Sequence, residues 1–168
     1  MGRQPGAGRD DAKQVAALLE QSRAELMDAM AGLDEAGFRT RPDSATWSVA
    51  EALAHLLDTE RTLRTDAEAA REQHDYFVTS KTDAERQEAA RLAQRMAVPQ
   101  LVHGLLAERR DTLRLLAGLS REELERPLRH EARGELKVGW LFRHLAEHEA
   151  DHAAQIRTLR QAAPTGNT

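Results

Sequence analysis

The sequence predicts an all-α fold, a four-helix bundle. Three observations carry that expectation. Apolar residues recur at steps of three, four and seven through four long stretches. Serine or threonine stands three residues ahead of glutamate at three helix starts. No stretch sustains the alternation of a half-buried strand, and candidates such as "DYFVT" are short and isolated. Amphipathic helices alone can bury their stripes only against one another, which makes a bundle.

The elements follow in order. Val15, Leu18, Leu19, Leu26, Met30 and Leu33 define a first helix from about Asp10 to Leu33, with Gly32 and Gly37 bracketing its exit. "FRTRPDSAT" is a loop, broken by Pro42 and turned by Asp43 and Ser44. Ser48 and Glu51 form a capping box that opens a second helix, running to about Gln73. "HDYFVTSK" connects it to a third, opened by Thr82 and Glu85, kinked or split at Pro99 and closed by Gly118. Ser120 and Glu123 cap a short helix that ends before Pro127. "LRHEARGEL" reads as irregular, and a last helix runs from about Val138 to Ala162. The domain therefore spans 10–162, with disordered tails at 1–9 and 163–168.

Composition narrows the function. At 168 residues, 40% apolar and 31% charged, the chain suits one globular domain. A net charge of −4 with mixed signs gives no nucleic-acid-binding face. No apolar run reaches a membrane span, and the start "MGRQPGAGRDD" lacks a signal-peptide core, so a cytoplasmic protein is expected. There is no cysteine, which excludes disulfides, thiolate metal sites and a cysteine nucleophile. Abundant arginine and alanine with only three lysines suggest a GC-rich bacterial genome.

The chemistry lies in the histidines. The last helix contains His148-Glu149-Ala150-Asp151-His152, an H-E-x-x-H match. His148 and His152 fall within the stripe of Leu141, Leu145, Ile156 and Leu159, so both point inward. At i and i+4 their Cβ atoms lie about 6 Å apart, and two imidazoles can meet one ion. From this helix alone, a metal site and a pair of hydrogen-bonded core histidines both stand. His144 is about 12 Å from His152 along the axis and at the stripe's edge, so it is not expected to join. His55 on the second helix stands roughly 110° from the stripe of Val49, Leu53, Leu56 and Leu63, facing a neighbouring helix, a pocket mouth or solvent. His103 is its rival as a third ligand; His74 and His130 carry no expectation. A protease is disfavoured: Gln155 and Thr158 replace the metzincin glycine and third histidine, and no glutamate follows Ala153. Of the two tryptophans, Trp140 is expected in the core, and Trp47 in the core or a pocket wall.

"TWSVAEALAHLLDTER" resembles the second-helix signature of the DinB/YfiT-like superfamily, and "FRHLAEHEADHAAQIRTLR" its last-helix signature. Together they resemble that family over almost the whole chain. The resemblance implies a DinB-like four-helix bundle and a divalent metal, zinc or nickel, held by His55, His148 and His152. It further implies a small-molecule substrate, thiol transfer with a low-molecular-weight thiol or hydrolysis, and a homodimer. Three imidazoles would leave the ion open positions for water or a thiolate. Each ligand's second ring nitrogen needs an acceptor; Glu51, Asp58, Glu147 and Asp151 are near in sequence and none is assigned. Two other readings stand beside this one: a metal-binding or stress-related bundle without turnover, and a metal-free interaction module whose histidines are polar core.

Overall fold

A computed structural model describes residues 7–162. Among the described residues seven α-helices run in the order α1 (Ala7–Met30), α2 (Glu35–Arg39), α3 (Val49–Glu72), α4 (Asp83–Arg91), α5 (Val98–Gly118), α6 (Arg121–Leu124) and α7 (Val138–Ala162). The four long ones make the bundle: α1 packs along α7, α3 along α5, and α3 also meets α7. All three expected capping boxes form, at Ser48/Glu51, Thr82/Glu85 and Ser120/Glu123. Among the described residues no helix is long and apolar enough to cross a membrane.

The structure corrects the expectation in four places. The first helix begins by Ala7, so the expected tail at 1–9 is already helical over its last three residues; residues 1–6 and 163–168 lie outside the described range. It stops at Met30 rather than Leu33, because Gly32 takes φ +78°, the left-handed turn that ends a helix. A short helix, α2, precedes the loop; Asp34 caps it by accepting from Gly37 N at 2.8 Å. The third helix is split, as expected, but ahead of Pro99 rather than at it. α4 ends in a 3₁₀ turn at Leu92–Gln94, and Pro99 sits in the first turn of α5, where its missing N–H costs nothing.

The fourth correction is a small sheet in place of isolated and irregular chain. β1 (Tyr76–Val78) runs parallel to β2 (Pro127–His130), which pairs antiparallel with β3 (Gly134–Lys137). Gly134, at φ +75°, permits the tight β2–β3 turn. Leu128 and Val78 from this sheet are buried in the core. β3 leads directly into α7 and so fixes where that helix begins.

The apolar core is in two parts. One gathers Leu19, Leu116, Leu128, Leu141, Phe142 and Leu145 around the sheet end of the bundle. The other gathers Leu26, Leu53, Leu56, Leu101, Leu105 and Ile156.

Candidate metal centre

α3 and α7 each carry histidines to their shared face. Ser48 starts α3 by accepting from Glu51 N, while Glu51 accepts from Ser48 N at 2.8 Å and from Arg41 Nη2 at 2.6 Å. Burial pushes the Glu51 carboxyl up, but Arg41 and Ser48 outweigh it and hold it below the usual range. Two helical turns from this fixed start, His55 is buried at 5% exposure and faces α7. The ring of Trp47 lies 4.9 Å from it, with Trp47 Nε1 donating to Gln87 Oε1 at 3.3 Å.

His148 is half-buried and His152 buried on α7. Each of His55, His148 and His152 offers a ring nitrogen, and these nitrogens all lie within 4.8 Å of one another. The Nε2 atoms of His55 and His148 are 3.0 Å apart. An ion about 2.0–2.1 Å from each of two nitrogens in a tetrahedral shell sets them roughly 3.3 Å apart, so the pair sits within tenths of an ångström of a shared-ligand geometry. The rings meet edge to face, His148 on His152 at 4.7 Å and His55 on His152 at 5.4 Å.

The three imidazoles are neutral at neutral pH. Burial, then the charges of His148, His152, Lys81 and Arg86, push His55 down to about 3. Burial and His152 push His148 down to about 4 against the opposing pull of Asp151 and Glu149. Burial also lowers His152. Neutral imidazoles are what a metal requires. His55 Nδ1 is buried with no hydrogen-bond partner. The acceptor that a ligand's second ring nitrogen calls for is thus not supplied among the described residues, while Nε2 of the same ring is turned to His148 Nε2.

The remaining histidines are not members of this cluster, although the His144 ring stacks on that of His148 at 6.0 Å. His144 is half-buried and stacks on Trp140 at 4.5 Å, outside the cluster. Trp140 in turn packs partly buried against the first core cluster. His130 edges Trp140 at 5.9 Å, and His74 and His103 are exposed. Neither α5 nor its His103 supplies a ligand to the cluster.

The H-E-x-x-H glutamate does not face the histidines' shared site. Glu149 accepts from Arg23 Nε at 2.7 Å, Arg109 Nη2 at 2.9 Å and Ser22 Oγ at 2.6 Å, at 1% exposure. A carboxylate held by three donors is no general base, so the protease reading loses its second requirement as well as its third ligand. Two of the four sequence neighbours are engaged elsewhere. Glu51 is taken by Arg41, and Asp58 by Lys81.

The model of the DinB superfamily matches residues 18–156, which include His55, His148 and His152. The chain belongs to the DinB superfamily. Solved structures agree on the fold. YfiT from Bacillus subtilis, described as a probable metal-dependent hydrolase with an unusual four-helix bundle topology, superposes with a TM-score of 0.78 at 14% identity, covering 96% of this chain and 92% of its own. A protein from Streptococcus pneumoniae gives a TM-score of 0.70 at 16% identity, over 90% and 91% of the two chains. The DinB-like YjoA of Bacillus subtilis gives 0.60 at 16% identity, over 92% and 95%. No curated protein matches the sequence.

Beside His152 this DinB-superfamily chain has a cleft of about 720 Å³. Trp47, Val49, Ala52, Ile156 and Leu159 give it apolar walls, while Arg86 and Gln87 on α4 add polar groups. Thr46, Ser48, Asp83 and Gln155 also line it, so the cleft is mixed in character, with a volume that suits a small molecule. Sequence reasoning missed α4's part in it, because nothing local to Arg86 or Gln87 shows that α4 faces α7 across a cleft.

Proposed function

We propose that this protein is a metal-dependent enzyme acting on a small molecule, with His55, His148 and His152 as ligands of a divalent ion, zinc or nickel. The observation that carries this reading is the convergence of three neutral imidazoles from two helices, two of them buried and one half-buried, with ring nitrogens within 4.8 Å of one another. YfiT's description as a probable metal-dependent hydrolase supports hydrolysis as the reaction class. Transfer of an external thiol is the other chemistry open to the same site, since the chain has no cysteine of its own.

When bound, the ion supplies Lewis acidity that lowers the pKa of water or a thiol at its open positions. The protein's residues supply the rest. His55 and His152 are buried and neutral, so they offer lone pairs rather than protons. Trp47 walls the His55 ring from one side. The cleft seats an apolar body against Trp47, Ile156 and Leu159, and Arg86, held by Asp83 and the Lys81 carbonyl, with Gln87, held by Trp47, forms its polar side.

One observation favours a second reading, a metal-binding bundle without turnover. Glu51, Asp58 and Glu149 are all engaged in ion pairs, leaving none of them as a free base beside the histidines.

The test compares wild type, His152→Ala and His144→Ala for metal content and for turnover across ester, amide and thiol-transfer substrates. His152→Ala loses both metal and turnover; His144→Ala keeps its metal. Equal metal in wild type and His152→Ala would refute the site. Full metal in wild type with no turnover in any assay would select the second reading.

A further inference from the structure

Two arginines and two glutamates close a ring through the centre of the bundle, one from each long helix: Arg23 on α1, Glu60 on α3, Arg109 on α5 and Glu149 on α7. Arg23 donates Nε to Glu149 Oε1 and Nη2 to Glu60 Oε2, both at 2.7 Å. Arg109 donates Nε to Glu60 Oε1 at 2.7 Å and Nη2 to Glu149 Oε2 at 2.9 Å. The spare Nη1 atoms cross reciprocally to main-chain carbonyls, Arg23 to Leu105 on α5 and Arg109 to Leu19 on α1. Exposures are 6%, 1%, 5% and 1% for Arg23, Glu60, Arg109 and Glu149. The ring is neutral as a whole, and Leu19 and Leu105, whose carbonyls it uses, belong to the two different core clusters.

We infer that this ring is the positioning device of the histidine site: it fixes the register of α3 against α7, and so the convergence of His55 with His148 and His152. Glu149 adjoins His148, and Glu60 lies five residues, about 7.5 Å along the axis, from His55. The two ring glutamates thus anchor the two ligand-bearing helices close to the ligands themselves. Leucine and alanine faces tolerate repacking, whereas three ligands on one ion tolerate errors of only a few tenths of an ångström. A closed set of directional bonds through both guanidiniums has one geometry. Buried ion pairs of this kind add little stability over apolar replacements, while a role in setting register is their best-attested use.

This inference rests on the metal reading, and the experiment separates the two. Cobalt(II) is titrated into the metal-stripped full-length chain, reading affinity and the visible d–d bands, alongside thermal melts. Three proteins are compared with wild type: the fourfold Arg23→Met, Glu60→Leu, Arg109→Met, Glu149→Leu variant; Glu60→Gln; and Leu116→Ala as a destabilised control that makes none of the ring's bonds. The fourfold variant keeps its helicity and melting temperature yet binds cobalt at least tenfold more weakly, with altered bands. Glu60→Gln, read well below its melting temperature, also loses affinity, while Leu116→Ala melts lower and binds as wild type does. If the fourfold variant does not fold, Glu60→Gln against Leu116→Ala decides. Wild-type affinity and bands in the ring variants, or equal losses in Leu116→Ala, overturn the positioning role. Absence of any cobalt site in wild type overturns the metal reading itself.

Discussion

At the scale of the residue, the histidines pay a cost that pH exposes. In the unfolded chain each titrates near 6.5, but in the fold His55 is pushed to about 3 and His148 to about 4. Burial is the largest cause for both; Lys81 and Arg86 add to it at His55, and Asp151 and Glu149 oppose it at His148. Between the folded value and 6.5 the unfolded state binds more protons, so stability rises with pH across that window and falls as pH drops below 6.5. Each histidine contributes at most about 1.4 kcal/mol per pH unit. The metal-stripped protein is therefore expected to melt several degrees lower at pH 5.5 than at pH 7. The double variant His55→Leu, His148→Leu is expected to flatten that slope. Parallel slopes for the two proteins would contradict the assignment of buried, neutral rings.

At the scale of the element, α3 brings one histidine, His55, to the two on α7, and its start matters more than its length. Ser48 caps it, Glu51 and Arg41 brace the cap, and Trp47 one residue earlier reaches His55. Ser48→Ala is expected to cost about 1 kcal/mol, seen as a melting temperature lower by roughly 2–4 °C; an unchanged melt would show that the cap is not what holds this end. Ser48 was legible in the sequence because a capping box is a local signal, and so were the inward His148 and His152, because helical periodicity places them. His55 was not placed by periodicity: it stands off the leucine stripe because its partner is α7, and only the family motif pointed to it. The strands were missed for a different reason. Three or four residues are too few for alternation to show, and β1 finds its partner about fifty residues away in sequence. The buried ring was open to reading and went unread. Arg23 falls between Leu19 and Leu26, Glu60 between Leu56 and Leu63, Arg109 between Leu105 and Thr112, and Glu149 between Leu145 and His152, all at steps of three and four. A charge at a stripe position in each of four helices, two of each sign, is a signal for a paired interior that no single helix displays.

At the scale of the whole molecule, the question is whether metal supplies the fold or the fold supplies the metal site. The two apolar clusters draw on all four long helices, and their leucines at positions 19, 26, 53, 101 and 105 are fully buried. The charged ring between them closes on itself and involves none of the three histidines. Removing an ion from His55, His148 and His152 therefore takes away a ligand-bound cross-link between α3 and α7 but no part of the core. This differs from a zinc finger, in which the ion takes the place of a core and chelation unfolds the chain. Chelation is accordingly expected to lower the melting temperature, because an ion bound only by the folded state stabilises it by mass action. Helical circular dichroism at room temperature is expected to persist. Loss of helicity in chelator would mean that the ion, not the paired clusters and their ring, holds the four helices together.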